Sequence, residues 1–371
     1  MTPPARGLSV LVVDDSAVVR QTLAAILGQE PGVSVTVAAD PLIARGKIAR
    51  ERPDVIVLDL EMPRMDGLTF LRVLMAEDPI PVVVCSGLTV AGAEHAMRAL
   101  EEGAISIVTK PKIAVREFLY ESAVTLVDAV RSAAAAKLPP RRGGSAPPAP
   151  PRTVNPKLTA DAMLPRRAGR PPVGAQSLIA IGASAGGTEA LREVLQSFPE
   201  DAPPALVVQH MPEAFTTAFA ARLDALCAVE VREAADGDLV VAGRVLLAPG
   251  NRHMMLRRSS GRYAVEVADG PLVSRHRPSV DVLFRSVAQA AGSRAVGAIL
   301  TGMGDDGAQG LLEMRQAGAR TIAQDEATCI VFGMPKEAIA RGAVHEVVPL
   351  DRIGATVLSA SLRAGADGRA G

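Results

Sequence analysis

Ten prolines fall between Leu138 and Pro172, together with several Arg and Gly and a single acidic residue, Asp161. Proline fixes its own φ and removes a backbone donor, so at this density neither a helix nor a sheet strand runs through the stretch. A chain built this way cannot fold as one continuous body. The composition divides it into residues 1–135, a Pro/Arg-rich linker over 136–175, a larger folded part over 176–363, and a small, flexible tail over 364–371. Arg166-Arg167 within the linker reads as a solvated tether, with an acidic surface as the alternative partner. A length of 371 residues suits two domains of ordinary size.

The rest of the composition excludes several classes. Apolar residues make up 48% of the chain, enough for real cores, which Val, Leu, Ile and Ala must build because aromatics are only 2%. Forty basic and forty acidic side chains cancel, which argues against nucleic acid or an anionic membrane as the main partner. Without Trp and with few aromatics, a stacking platform for bases is not expected. Cys85, Cys227 and Cys329 are far apart and form no Cys-x-x-Cys pair, so neither a disulfide framework nor a thiolate zinc site is expected, and a reducing cytoplasm fits. Met1–Gly7 gives no secretory signal, and no run reaches the roughly 18 apolar residues of a membrane span.

In the first part, apolar runs at Leu8–Val13, Val33–Ala38, Asp54–Leu58, Pro81–Cys85 and Ala104–Val108 alternate with helical spacing at 17–27, 42–50, 68–76, 91–100 and 115–130. Such alternation predicts a parallel sheet covered on both faces, which binds ligands at the carboxyl ends of its strands. Asp14 and Asp15 end the first strand and Asp59 ends the third, so three carboxylates converge on one rim. Their mutual repulsion calls for a hard divalent cation with oxygen ligands, Mg²⁺ above all. Ser86 and Lys110 join the same rim. A metal and an ammonium would neutralise phosphate oxygens, and a hydroxyl would bond one of them, which suits phosphoryl transfer onto Asp59.

These residues, within Val12-Val13-Asp14-Asp15-Ser16, Leu58 to Gly67, Cys85-Ser86-Gly87 and Thr109-Lys110-Pro111, make residues 8–130 resemble the receiver domain of two-component response regulators, a flavodoxin-like fold. The resemblance implies a histidine kinase as phosphodonor and Asp59 as phosphoacceptor, with Ser86 and Lys110 as switch residues. One departure stands out. The aromatic switch residue common three positions before the lysine is Ile107 here, so switching is expected to rest on Ser86.

The second part resumes the alternation, with strands expected near 178–181, 206–208, 229–232, 245–247, 298–300, 321–323 and 344–347, and helices near 187–196, 216–226, 279–291 and 308–317. Leu178-Ile179-Ala180-Ile181 runs into Gly182-Ala183-Ser184-Ala185-Gly186-Gly187 and then a helix. A small-residue turn there can hold a nucleophilic serine tightly and aim helix N–H groups at its target. The rival is a nucleotide-binding glycine loop, but Ser184 stands where its second glycine would be. A serine needs a base, and His210 ends the next strand; His253 and His276 read as polar-loop residues that bind substrate or face solvent, and His345 as structural. Thr301 to Gly307 is a glycine-laced turn carrying Asp305 and Asp306, and spacing alone does not say which orients the base.

Ile181 to Ser184, Val208 to Pro212, Ala248-Pro249-Gly250, Arg277 to Asp281, Leu300 to Gly304 with Asp306-Gly307, and Ala323 to Glu326 resemble the catalytic domain of the chemotaxis protein-glutamate methylesterases over residues 176–350. The resemblance implies a doubly wound, mostly parallel α/β domain with Ser184 as nucleophile, His210 as base, Asp306 as orienter and the Met303 backbone N–H in the oxyanion hole. Ala185 stands where the family often has Thr, which removes a hydroxyl and keeps the backbone N–H as a second oxyanion donor. The implied activity is phosphorylation-gated hydrolysis of glutamate methyl esters on chemoreceptors, with deamidation of receptor glutamines. No cofactor is expected in this domain; Mg²⁺ belongs to the receiver. The competing readings are a regulator whose output binds DNA, disfavoured by zero net charge and the lack of a helix-turn-helix signature, and a binding module with an inactive serine turn.

Overall fold

The computed structural model describes residues 7–63, 65–87, 89–111, 116–138, 157–166, 176–259 and 261–367. They form two units, Met1–Arg152 and Thr153–Gly371.

In the first unit, β1 (Leu8–Val13), β2 (Val33–Ala38), β3 (Val55–Leu58), β4 (Val82–Ser86) and β5 (Ser106–Thr109) pair in the order β2-β1-β3-β4-β5. Every pairing is parallel. This is the flavodoxin-like order, with its switch point between β1 and β3. All four residues of β3 and all five of β4 are buried, as expected of strands covered on both faces. The helices start at side-chain caps the sequence supplies. Ser16 accepts from the Val19 N–H, Asp40 from Ile43, Asp66 from Thr69 and Thr89 from Gly92.

The second unit is built on β6 (Leu178–Ala183), β7 (Ala205–Gln209), β8 (Glu230–Glu233), β9 (Arg244–Leu247), β10 (His253–Ser259), β11 (Arg262–Ala268), β12 (Ala295–Ile299), β13 (Arg320–Gln324) and β14 (Glu346–Val348). Seven of these form one sheet in the order β14-β13-β12-β6-β7-β9-β8, and all six pairings are parallel. The chain enters at β6, winds outward through β7, then returns to the other side through β12, so the switch point lies at β6 itself. That is where a doubly wound sheet opens its ligand crevice. Helix Val280–Ala290 packs its buried Val280, Leu283, Phe284 and Val287 on the core.

Several features depart from the sequence expectation. Strands β10 and β11 form an antiparallel hairpin outside the main sheet, where only loop was expected. Helices Met334–Ala340 and Leu350–Asp367 were also not foreseen, and the latter runs four residues into the stretch read as a flexible tail. Part of the expected linker is folded: residues 157–166 carry a single 3₁₀ turn, Ala160–Ala162, and lie on the second unit. Ala160 and Leu164 are buried with Met255, Val273 and Val282. Arg166, read as solvated, pairs with Glu313 at 3.0 Å. The remaining linker residues, Pro139–Pro156 and Arg167–Ala175, lie outside the described residues. Among the described residues no helix is long and apolar enough to cross a membrane.

Candidate active site

Ser184 directly follows β6, His210 directly follows β7, and Thr301 to Asp306 follow β12 by one residue. Because β6 lies between β7 and β12 with Ala183 facing Gln209 and Gly182 facing Ile299, the three segments meet on one rim. Backbone bonds tie them together: the Ser184 N–H donates to Thr301 O at 3.0 Å, and the His210 N–H to Ala183 O at 3.1 Å. The small residues of the turn have steric reasons. A Cβ on Gly187 would fall 2.7 Å from the Ala183 Cβ, and one on Gly302 would fall 2.7 Å from the Ser184 Cβ and 2.3 Å from the Met334 Sδ. Gly186 adopts φ 74°, a left-handed conformation that favours glycine.

The Asp306 carboxylate is 1% exposed and fully engaged. It accepts from His210 Nε2 at 2.8 Å, Ser279 Oγ at 2.8 Å, Val280 N at 2.8 Å and Asp281 N at 3.0 Å. The last two donors are the opening turn of helix Val280–Ala290, whose dipole favours an anion there. Burial alone would raise this carboxyl's pKa; the His210 hydrogen bond, the positive charge that His210 and His276 carry when protonated, and the Asp281 N–H outweigh it and hold the group below its ordinary value. Neighbouring Asp281 moves the opposite way, raised by burial and then by the charge of Asp306. Asp306 can only accept from His210, so in the neutral ring the tautomer with the proton on Nε2 is selected and Nδ1 keeps the lone pair. Nδ1 is buried and has no hydrogen-bond partner among the described residues.

Asp305, indistinguishable from Asp306 by spacing, points elsewhere. It pairs with Lys157 and, at 3.1 Å, with Arg341. Ala185 follows Ser184 in the same turn, and Met303 lies in the loop after β12, whose Thr301 O accepts from the Ser184 N–H. Thr301 Oγ1 braces both loops, donating to Ala185 O at 2.9 Å and accepting from Val331 N at 3.0 Å. Gln209 does similar work, its Nε2 donating to Ser184 O at 2.8 Å.

In the first unit, Asp14 and Asp15 follow β1, Asp59 follows β3, Ser86 ends β4 and Lys110 follows β5, all on one rim. Ligand oxygens of Asp14, Asp15 and Asp59 lie within 4.8 Å of one another. Lys110 Nζ sits 2.7 Å from Asp59 Oδ2 and 3.1 Å from Asp14 Oδ2. Burial raises the Asp59 pKa to about 6, with Lys110 opposing and Asp14 adding to the rise. This all-oxygen donor set with an exposed face at Asp15 fits a hard divalent cation. Gly67 is required here: a Cβ would fall 2.1 Å from Asp59 O. Ser86 is fully buried, and Ile107 is 7% exposed at the place of the missing aromatic.

The chain matches two families, the response regulator receiver domain over residues 10–119 and the CheB methylesterase over residues 179–357. It is 62% identical over 351 residues to protein-glutamate methylesterase/protein-glutamine glutaminase 5 of Anaeromyxobacter dehalogenans, covering 94% of this chain and 95% of that one. The chain belongs to the CheB methylesterase family. Similar relatives include protein-glutamate methylesterase/protein-glutamine glutaminase 3 of Geobacter metallireducens, 56% identical over 95% of this chain and 99% of that one. Another is protein-glutamate methylesterase/protein-glutamine glutaminase 2 of Rhodospirillum rubrum, 58% identical over 96% and 99%.

Three residues of this CheB-family site were misplaced or overlooked in the sequence. His253 is not in a polar loop but opens β10, fully buried, with Nε2 on Pro271 O at 2.9 Å and Nδ1 accepting from Ser279 N at 3.3 Å. Burial lowers its pKa, with the neutral ring thereby favoured. It supports Ser279, which holds Asp306. Ser279 stood within a family-like stretch at the start of an expected helix and was given no role of its own; its Oγ donates to Asp306 and accepts from the Val282 N–H. His276 lies in a loop, as expected, and is half-buried; what the sequence did not reveal is that its ring stacks on His210.

Proposed function

We propose that Ser184, His210 and Asp306 hydrolyse γ-methyl esters of glutamate on chemoreceptors, and amides of receptor glutamines, under control of phosphorylation at Asp59. The observation that carries this reading is the buried Asp306 carboxylate bonded to His210 Nε2 at 2.8 Å, on the rim where Ser184 stands. His210 Nδ1 takes the Ser184 proton as Oγ attacks the ester carbonyl. The oxyanion forms against the N–H groups of Met303 and Ala185, each donor contributing about 3–4 kcal/mol at most. His210 returns the proton to the leaving methoxide, and methanol departs. A water, deprotonated by His210, then attacks the acyl-serine, and as its C–O bond breaks His210 gives that proton to Ser184 Oγ, leaving free glutamate and the resting serine. With a glutamine substrate the leaving group is ammonia. Asp306 stays ionised throughout and stabilises the imidazolium.

In the receiver, Asp14, Asp15 and Asp59 would hold Mg²⁺, which when bound neutralises phosphoryl oxygens. Lys110 pairs with the acceptor carboxylate, and Ser86 supplies a hydroxyl to the phosphorylated state. The donor is a chemotaxis histidine kinase, and donor and receptor substrate place the work in the cytoplasm. The test is methanol release from methylated receptor membranes, with and without a small phosphodonor. Wild type should release methanol faster with the donor, Asp59→Asn should not respond, and Ser184→Ala should release none. Normal release by Ser184→Ala would refute the assignment.

A further inference from the structure

The rings of His210 and His276 lie parallel, centroids 3.7 Å apart and planes inclined by 6°. With Asp306 they place three ligand atoms within 4.8 Å, a cluster that could suggest a metal. The stacking argues otherwise. Lone pairs lie in the ring planes, so parallel rings direct them along parallel planes and they do not converge on one ion. In addition, His210 Nε2 is engaged by Asp306, and His276 Nδ1 lies 2.9 Å from Ser274 O, where it can only donate.

We infer that His276 is a positioning residue of the hydrolysis, its ring bracing His210 so that Nε2 stays on Asp306 while Nδ1, without a partner among the described residues, stays open to take the Ser184 proton. A single hydrogen bond to Asp306 fixes one edge of the His210 ring but leaves the ring able to tilt about it. A flat partner across the face removes that tilt. The loop that presents His276 is built for rigidity. Ser274 and Arg275 have φ of 49° and 70°, conformations that residues bearing a Cβ hold only where the surroundings impose them. Val273 and His276 bond each other's backbone at 3.1 and 2.8 Å. The Ser274 N–H donates to Leu158 O at 2.9 Å, and Ser274 Oγ donates to Asp281 Oδ2 at 3.2 Å. Leu158 belongs to the folded end of the linker, so that segment takes part in fixing the loop.

This inference rests on His210 being the base. The experiment is steady-state demethylation by the full-length, phosphodonor-activated protein with His276→Ala and His276→Phe, alongside Ser184→Ala. Misplacing a catalytic group by about an ångström can cost on the order of 100-fold. His276→Ala is therefore expected to lower kcat by roughly 10- to 100-fold with KM within about twofold, and His276→Phe, which keeps a flat ring, to recover kcat to within about threefold. Labelling of Ser184 by a fluorophosphonate should slow in the same order. Unchanged kcat in His276→Ala, or a raised KM alone, would overturn the inference. So would a Phe variant as slow as the Ala variant, since His276 would then act through its nitrogens. Any of these results with an inactive Ser184→Ala leaves the triad standing, whereas an active Ser184→Ala removes the triad itself.

Discussion

At the residue scale, Asp306 is the position where chemistry and stability are joined. Asp306→Asn keeps an acceptor for Ser279 and the helix N–H groups but presents His210 with an amide, which can turn its own donor to Nε2 and reverse the tautomer. We expect kcat to fall by about 10³- to 10⁴-fold with the fold retained, measured by methanol release and thermal unfolding. Its depressed pKa also makes it a stabilising group above the ordinary carboxylate value, and that contribution is lost as pH falls through the folded-state value. Acid unfolding of the second unit should therefore be shallower below about pH 4 in Asp306→Asn than in wild type, read from denaturant midpoints across pH. Asp59 has the opposite sign. Its carboxyl is raised to about 6, so the neutral form's advantage is complete at low pH and disappears as pH rises through 6. In the absence of divalent cation the receiver should lose up to about 3 kcal/mol between pH 4 and 7, and Asp59→Asn should abolish that loss. Magnesium should also reduce it, and chelator should restore it.

At the scale of elements, the sequence revealed what repeats and hid what is single. Buried strands such as Val55–Leu58 and Leu178–Ala183 are unbroken apolar runs, legible without any partner. The hairpin β10–β11 was missed although Glu266 fits the alternation of β11, because in β10 the apolar run Met254-Met255-Leu256 passes straight into Arg257-Arg258, and the Arg257–Glu266 pair becomes visible only once the strands are paired. Asp306 and Asp305 could not be told apart by spacing, since their roles depend on Ser279 and Lys157, which are distant in sequence. The folded end of the linker was illegible for the same reason. Its anchor is Arg285, 1% exposed, which grips Glu313 through Nε and Nη2 and reaches Asp161 and Leu164 O through Nη1. Arg285→Met should leave Arg166 as the cation facing the Glu313 carboxylate and remove the bonds to Asp161 and Leu164 O, cost about 1–3 kcal/mol in denaturant unfolding, and open residues 157–166 to protease. Gly302→Ala tests tight packing at the serine: a methyl there meets Ser184 and Met334, so a cost of about 1–3 kcal/mol and a clear loss of esterase rate are expected.

At the scale of the whole chain, the two units form one regulated enzyme only if the receiver changes the availability of the Ser184 site. Every 1.4 kcal/mol by which phosphorylation favours a competent form raises the ratio of competent to inhibited molecules tenfold. Removing the receiver should give the same release without a phosphodonor, but where the chain is cut decides whether the test is fair. A fragment beginning near residue 170 discards Lys157, which pairs with Asp305 on the loop carrying Met303, and Leu158, which holds the loop carrying His276. It also leaves Arg285 without Asp161 and Leu164 O. A fragment beginning at Thr153 keeps all of them. The longer fragment should therefore outpace the unphosphorylated full-length protein in methanol release, while the shorter should unfold at lower denaturant and show lower kcat. If the longer fragment were no faster than the unphosphorylated whole, the receiver would not be an inhibitor, and phosphorylation would have to act by adding activity rather than by lifting a restraint.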